Sequence, residues 1–178
     1  MLLVLTGYFL WRARQLNAAQ QLVDDCLQNN DCARITEALE TLVQAQKSLK
    51  FFNFSRVNLE EANLSQADLY RTNLSSSQLK NANLSQASLY RTNLSQANLQ
   101  NTNLERANLE RAFLINTKHL TSTQIKSACN WEIAYYQGHF DADYEQWIIN
   151  APANQQFIEQ LHLERDSDPK QPVDCSQW

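Results

Sequence analysis

An apolar side chain recurs at every fifth residue through the middle of this chain. Phe stands at 54 and Leu at 59, 64, 69, 74, 79, 84, 89, 94, 99, 104, 109 and 114, thirteen positions with no insertion. Two residues before each lies a mostly small side chain, as at Ala62, Ala67, Thr72, Ser77 and Ala82, and between them a polar residue, usually Asn. A longer period is superposed. The stretch ANLSQADLYRTNLSSSQLKN (62–81) is followed by ANLSQASLYRTNLSQANLQN (82–101). A period of five fits neither regular element. A helix would turn successive Leu by about 140° net and spread them around its cylinder. A flat strand would send alternate Leu to opposite faces. All can point inward only if the chain turns a corner every five residues. Four sides then close a coil after twenty, and residues twenty apart stack at about 4.8 Å. The small residue and the Leu face in, and the other three face out.

The unit A-(N/D)-L-x-x, kept in register over about residues 52–116, resembles the repeat of the pentapeptide repeat family. The resemblance implies a mainly β chain, a right-handed quadrilateral β-helix of about three coils. Departures are Phe52 and Val57 at small positions, Gln78 and Ser88 at Asn/Asp positions, and Phe113 facing outward. The large residues gather at the two ends, where the narrow interior needs a plug. A single coil cannot bury its own upper and lower faces, so such a stack depends on neighbours and end caps.

The chain divides into an apolar segment (1–15), a helical hairpin cap (16–50), the repeats (51–116), and a C-terminal helical cap with an acidic tail (117–178). Residues 1–11, MLLVLTGYFLW, would make about 16 Å of helix against about 30 Å for a bilayer core, and they lack a basic leader. They read as the second half of a transmembrane helix, as an interfacial anchor, or as a helix packed on the hairpin. If they span, Arg12 and Arg14 place the repeats in the cytoplasm. A cytoplasmic protein without membrane contact is the other placement. In the hairpin, Leu22, Val23, Cys26 and Leu27 share one face, Asp31 can cap the second helix, and Ile35, Ala38, Leu39, Leu42 and Val43 line its inner face. After the repeats, Thr121 and Gln124 form a capping box, and Leu120 with Ile125 a staple. A helix from there to a C-terminal Gly138 would lid the last coil with Ile125, Ala128, Cys129, Trp131 and Ile133. NWEIAYY, with Phe140 and the later Leu161–Leu163, resembles the tail of cyanobacterial members of the family. A further helix is expected over about 154–163 after Pro152, and residues 164–178 read as frayed.

Catalytic, cofactor and metal chemistry find no purchase here. His119, His139 and His162 lack ligand spacing. DADYE at 141–145 alternates acids like a Ca²⁺ loop but has Gln146 and Pro152 where Gly and Glu are needed, so it reads as acids at a helix N-terminus. With Gly only at 7 and 138, no phosphate loop exists. The sequons at Asn53, Asn63, Asn73, Asn83 and Asn93 are by-products of the repeat. Cys26 and Cys32 lie six apart across the hairpin turn; a disulfide, buried thiols and a metal site all remain readings of that spacing, and a disulfide would conflict with a cytoplasmic location.

The net charge is −4, but residues 53–116 carry six basic and five acidic side chains, whereas 117–178 carry four and nine. The acidity belongs to the tail. The outward pattern beyond packing is a column of Tyr70 and Tyr90, continued by Glu110, beside a column of Arg71, Arg91 and Arg111. Neighbouring charges about 4.8 Å apart in water repel by only about 0.9 kcal/mol. The columns read either as a solvated surface or as a docking face for an acidic or aromatic protein surface. The expected function is a non-enzymatic protein-interaction or scaffold module, with a membrane tether as a further option. Some family members resemble B-DNA and inhibit DNA gyrase, but that needs a dense negative surface, and this repeat region sums to +1. Direct nucleic-acid binding through the Arg column is disfavoured by the acidic total.

Overall fold

The structure is a computed structural model and describes residues 2–29, 32, 34–141, 146–170 and 173–178. Its centre is a stack of coils with a corner every five residues. Phe54 and every periodic Leu are at most 2 % exposed, and so are the small residues from Ala62 to Ala112. Isolated parallel bridges join residues twenty apart, in columns such as Asn63, Asn83, Asn103 and Asp68, Ser88, Asn108. Mainly β is therefore a poor description. Only one residue on each side pairs between corners, so no continuous strand forms in the repeats. The named strands, β1 (Gly138–Asp141) and β2 (Gln146–Ile149), form an antiparallel hairpin outside them.

The hydrogen bonding explains the unit residue by residue. In one unit, Leu84 N–H donates to Asn103 O, Gln86 N–H to Glu105 O, and Ser88 N–H to Ala67 O, while Ala87 N–H closes the corner on Leu84 O. The remaining donor, Ser85 N–H, is taken by Asn83 Oδ1 at 3.1 Å. The same contact recurs from Asn53, Asn63, Asn73, Asn93, Asn98, Asn103 and Asn108 to the residue two ahead. Asn recurs at the central position because its carboxamide reaches the one backbone donor the stack leaves free. Three buried threonine hydroxyls are also satisfied: Thr72, Thr92 and Thr102 donate to the Leu49, Leu69 and Leu79 carbonyls at 2.6–2.7 Å, whereas the buried Ser95 hydroxyl has no partner among the described residues.

At the N-terminal end, α1 (Leu2–Asn29) is one helix that runs through residue 15 without a break, and α2 (Ile35–Gln44) folds back after it. Ala19 and Val23 of α1, Ile35, Ala38, Leu39 and Leu42 of α2, and Leu49 join the same buried cluster as the first coil. Glu40 Oε1 accepts from Asn63 N–H at 2.7 Å, a donor that has no coil beneath it. Arg34, in a left-handed conformation, precedes α2 without a side-chain cap; Asp31, the expected cap, lies outside the described residues. No helix among the described residues is long and apolar enough to cross a membrane.

The C-terminal end departs from expectation. The capping box forms, with Thr121 accepting from Gln124 N–H, but the helix it starts, α3 (Ser122–Ser127), ends after six residues. The chain then returns to coil geometry. Cys129 bridges Asn108 and Tyr135 bridges Phe113, so the segment expected to be a lid helix adds an irregular layer to the stack. The open carbonyls of the last coil win over helix continuation: Ala107 O and Ala112 O accept from Cys129 and Tyr135 N–H. Ile125, Ala128 and Cys129 are buried as expected, whereas Ile133 is 50 % exposed. Gly138 caps no helix. It opens β1, where a Cβ would collide with the Ile148 carbonyl oxygen. Asp141 lies in that strand, not at a helix start, and 142–145 are outside the described residues. Helix α4 (Ala151–Leu163) follows, with Ile158 and Leu161 in the core. Its buried Asn154 accepts from Tyr136 N–H at 2.6 Å and donates to Ala134 O at 3.1 Å, fixing α4 to the last layer.

Candidate interaction face

Two neighbouring columns at one corner bring the expected face residues together. Tyr70 and Tyr90 stack with ring centroids 5.4 Å apart and planes 16° from parallel. Arg71 lies 5.5 Å over the Tyr70 ring and Arg91 5.4 Å over that of Tyr90. Arg111 continues the Arg column as an exposed side chain. The arginines occupy the corner position with positive φ, 54° at Arg71, 58° at Arg91 and 54° at Arg111, so the backbone twist itself aims them outward.

The face extends further than the sequence reading took it. Phe51 meets the edge of Tyr70 at 5.3 Å and is 63 % exposed. Lys50 sits 5.8 Å from the Tyr70 ring centroid and pairs with Asp68 at 2.9 Å. Both were findable, since Lys50 and Phe51 lie one twenty-residue period before Tyr70 and Arg71. The three aromatic rings thus form a continuous ladder flanked by cations. No trio of His, Cys, Asp and Glu among the described residues is placed to hold a metal.

Elsewhere, Cys26 and Cys32 are bonded to each other, with Cα atoms 4.3 Å apart. A second disulfide joins Cys129 to Cys175, 46 residues later. The described residues of 164–178 are accordingly not frayed. Lys126 Nζ donates to Asp168 at 2.7 Å, Arg106 pairs with Asp174 at 2.9 Å, and Trp178 Nε1 donates to Arg106 O at 2.9 Å. The even cysteine count was the one signal for this second pair.

A family model described as Pentapeptide repeats matches residues 53–89 and 87–118, in 8 copies. The repeat segment, residues 53–118, thus matches the pentapeptide repeat family. Among solved structures it is similar to a pentapeptide repeat protein from Nostoc Pcc 7120, at 25 % identity over 57 % of this chain and 75 % of that one, with a TM-score of 0.35. It is also similar to the pentapeptide repeat protein Rfr23 from the cyanobacterium Cyanothece 51142, at 29 % identity over 51 % of this chain and 64 % of that one, with a TM-score of 0.26. A pentapeptide repeat protein of the Arabidopsis thaliana thylakoid lumen matches at 22 % identity over 66 % of this chain and 88 % of that one, with a TM-score of 0.23. No curated protein matches. The Tyr–Arg ladder stands on outward positions that other units fill mostly with Ser, Gln, Asn or Glu, the exceptions being Arg56, Lys80, Arg106 and Ile115.

Proposed function

We propose that this protein is a non-enzymatic interaction module: a right-handed quadrilateral β-helix of about three coils, helically capped at both ends, that docks an acidic protein surface at the Phe51–Tyr70–Tyr90 ladder. The ladder is the observation that carries this reading. Aromatic residues and Arg are the types that dominate interface energetics. The stack holds them without folding entropy to lose on binding, because their backbone is fixed by coils above and below. Lys50, Arg71, Arg91 and Arg111 outnumber Asp68 and Glu110 at this corner, in a chain of net charge −4. The charge pattern thus selects an anionic partner. A DNA-mimic reading would need a dense negative surface, whereas the repeats carry six basic against five acidic side chains, and Asp68 pairs with Lys50 at 2.9 Å and Glu60 with Lys80 at 3.1 Å.

The test replaces Tyr70 and Tyr90 with Ser and Arg71 and Arg91 with Gln. The circular dichroism melt should stay close to that of the parent, because other corners carry such residues. Binding to an immobilised acidic, aromatic-containing peptide library should fall, with one or two positions each costing at least about 2 kcal/mol. Equal library binding by variant and parent would remove the docking role.

A further inference from the structure

Residues 165–178 bury little surface of their own. Ser167 is their one buried member among the described residues; Val173 and Cys175 are half-buried and the rest are exposed. Yet the segment lies along the last coil, held at points. Asp168 meets Lys126, whose side chain is only 4 % exposed. Asp174 receives Arg106 through both its carboxylate and its carbonyl, and the Trp178 indole donates to Arg106 O. Ordering each residue opposes this arrangement, and the largely exposed Arg106–Asp174 pair offsets little of that cost. A covalent tie, Cys129–Cys175, holds the segment as well.

The two sulfurs of that tie differ in setting. Cys129 belongs to the stack: it is 1 % exposed, its N–H donates to Ala107 O at 2.8 Å, and its carbonyl accepts from Leu109 at 2.9 Å. Cys175 is half-buried and rides on the segment. We propose that the Cys129–Cys175 disulfide is a thiol–disulfide exchange site for a dithiol reductant, and that it latches the described part of 165–178 over the end of the stack. One thiolate of the reductant attacks Cys175 Sγ, the accessible sulfur. A mixed disulfide forms, and Cys129 leaves as a thiolate and takes up a proton. The second reductant thiolate attacks the mixed disulfide and releases Cys175, which is protonated in turn. Two electrons and two protons pass from the dithiol to the protein, and the reductant leaves as its disulfide. Opening the strap separates Asp168 from Lys126 and Asp174 from Arg106. The C-terminal end of the stack then presents two cations that the closed strap neutralises.

The Cys26–Cys32 disulfide is an internal contrast. It joins residues six apart, and the α2 that follows it has apolar anchors of its own in the buried Ile35, Ala38, Leu39 and Leu42.

The full chain is treated with dithiothreitol under native conditions, alkylated, and followed by hydrogen exchange and mass spectrometry. Cys129 and Cys175 should become alkylated. Amides of 173–178 should exchange at least about tenfold faster, while those of 59–114 keep their protection, as expected of a locally opening unit. Cys175→Ser should reproduce the fast exchange without reductant. Unchanged exchange at 173–178 in both the reduced chain and the variant would overturn the latch. Failure of dithiothreitol to open the pair in the folded chain would overturn the exchange site. Loss of protection across 59–114 would also overturn it, by making the bond a staple of the entire fold.

Discussion

Each residue of the repeat answers a local requirement. Leu fills the axis and contributes about 1.5–3 kcal/mol of gross burial. The small residue two before it lets the coil close, and Asn between them accepts the one N–H the stack leaves over. The cost falls on the corner. Arg56, Glu61, Gln66 and their equivalents to Asn116 all take positive φ, between 54° and 63°, and only Asn81, Asn101 and Asn116 are of a type that favours it. The left-handed conformation costs an ordinary residue about 1–2 kcal/mol, and the stack imposes it because the corner N–H still finds its partner one coil away. The inward and outward roles can be separated at adjacent residues. Leu84→Asp places an unpaired charge at a site 0 % exposed and should abolish cooperative melting, since such burial costs several kcal/mol. Ser85→Asp, facing outward, should shift the melt by less than about 0.5 kcal/mol. Similar melts for the two variants would refute this assignment.

At the scale of the element, α3 shows how a well-signalled helix is overruled. Its capping box fixes where it starts, and the last coil fixes where it stops. Gln124 joins the two. Its Oε1 accepts from Thr121 N–H at 3.0 Å, and its Nε2 donates to Leu99 O at 2.9 Å and Thr102 O at 2.8 Å. The Asn103 side of the stack has no bridge above it among the described residues, so this side chain does there what a further coil would do. Gln124→Ala should lower stability by about 1–3 kcal/mol, the cost of leaving such groups without partners. Thr121→Ala, which removes only the cap, should cost about 1 kcal/mol. Urea titration of both variants checks the order; a larger loss from Thr121→Ala would show that α3 is held by its cap and not by the coil.

For the molecule as a whole, charge is arranged by region. The repeats are nearly neutral, one corner is basic and aromatic, and the acids of the tail fold back onto Arg106 and Lys126. Asp174 responds to pH. Ser176, through its hydroxyl and then its backbone N–H, together with the Arg106 guanidinium, holds this carboxyl below its ordinary value of 3.8. A depressed carboxyl stabilises the closed strap fully above its unfolded value, and that contribution is lost as the pH falls through the folded one. The Trp178 indole N–H, which donates to Arg106 O, is the reporter. Its NMR shift should stay constant from pH 7 down to about pH 5 and move below about 3.8. Asp174→Asn should remove that movement; a transition in the variant identical to the parent's would assign it elsewhere. Burial, and secondarily Glu132, pushes the Tyr136 hydroxyl far above its ordinary range, so Tyr136 stays neutral throughout.

The inward register, the twenty-residue stacking and the Tyr–Arg columns were legible from the sequence because a strict period converts position directly into direction. Leu at every fifth residue leaves one way to bury them all, and residues twenty apart must then be neighbours. The α3 start was legible too, since a capping box is written in four consecutive residues. Where α3 ends was not, because the competing partners, Ala107 O and Ala112 O, belong to a coil some twenty residues earlier. Gly138 was misplaced for a similar reason: what excludes a side chain there is the carbonyl of Ile148 across a hairpin. The Cys129–Cys175 bond and the contacts of Trp178 lie beyond any local pattern, since they join segments 46 and 72 residues apart. A period determines the repeating part of a fold from within. Its ends lack a neighbour on one side, and what meets them is decided by whichever distant groups satisfy the last coil's open carbonyls and cover its apolar face.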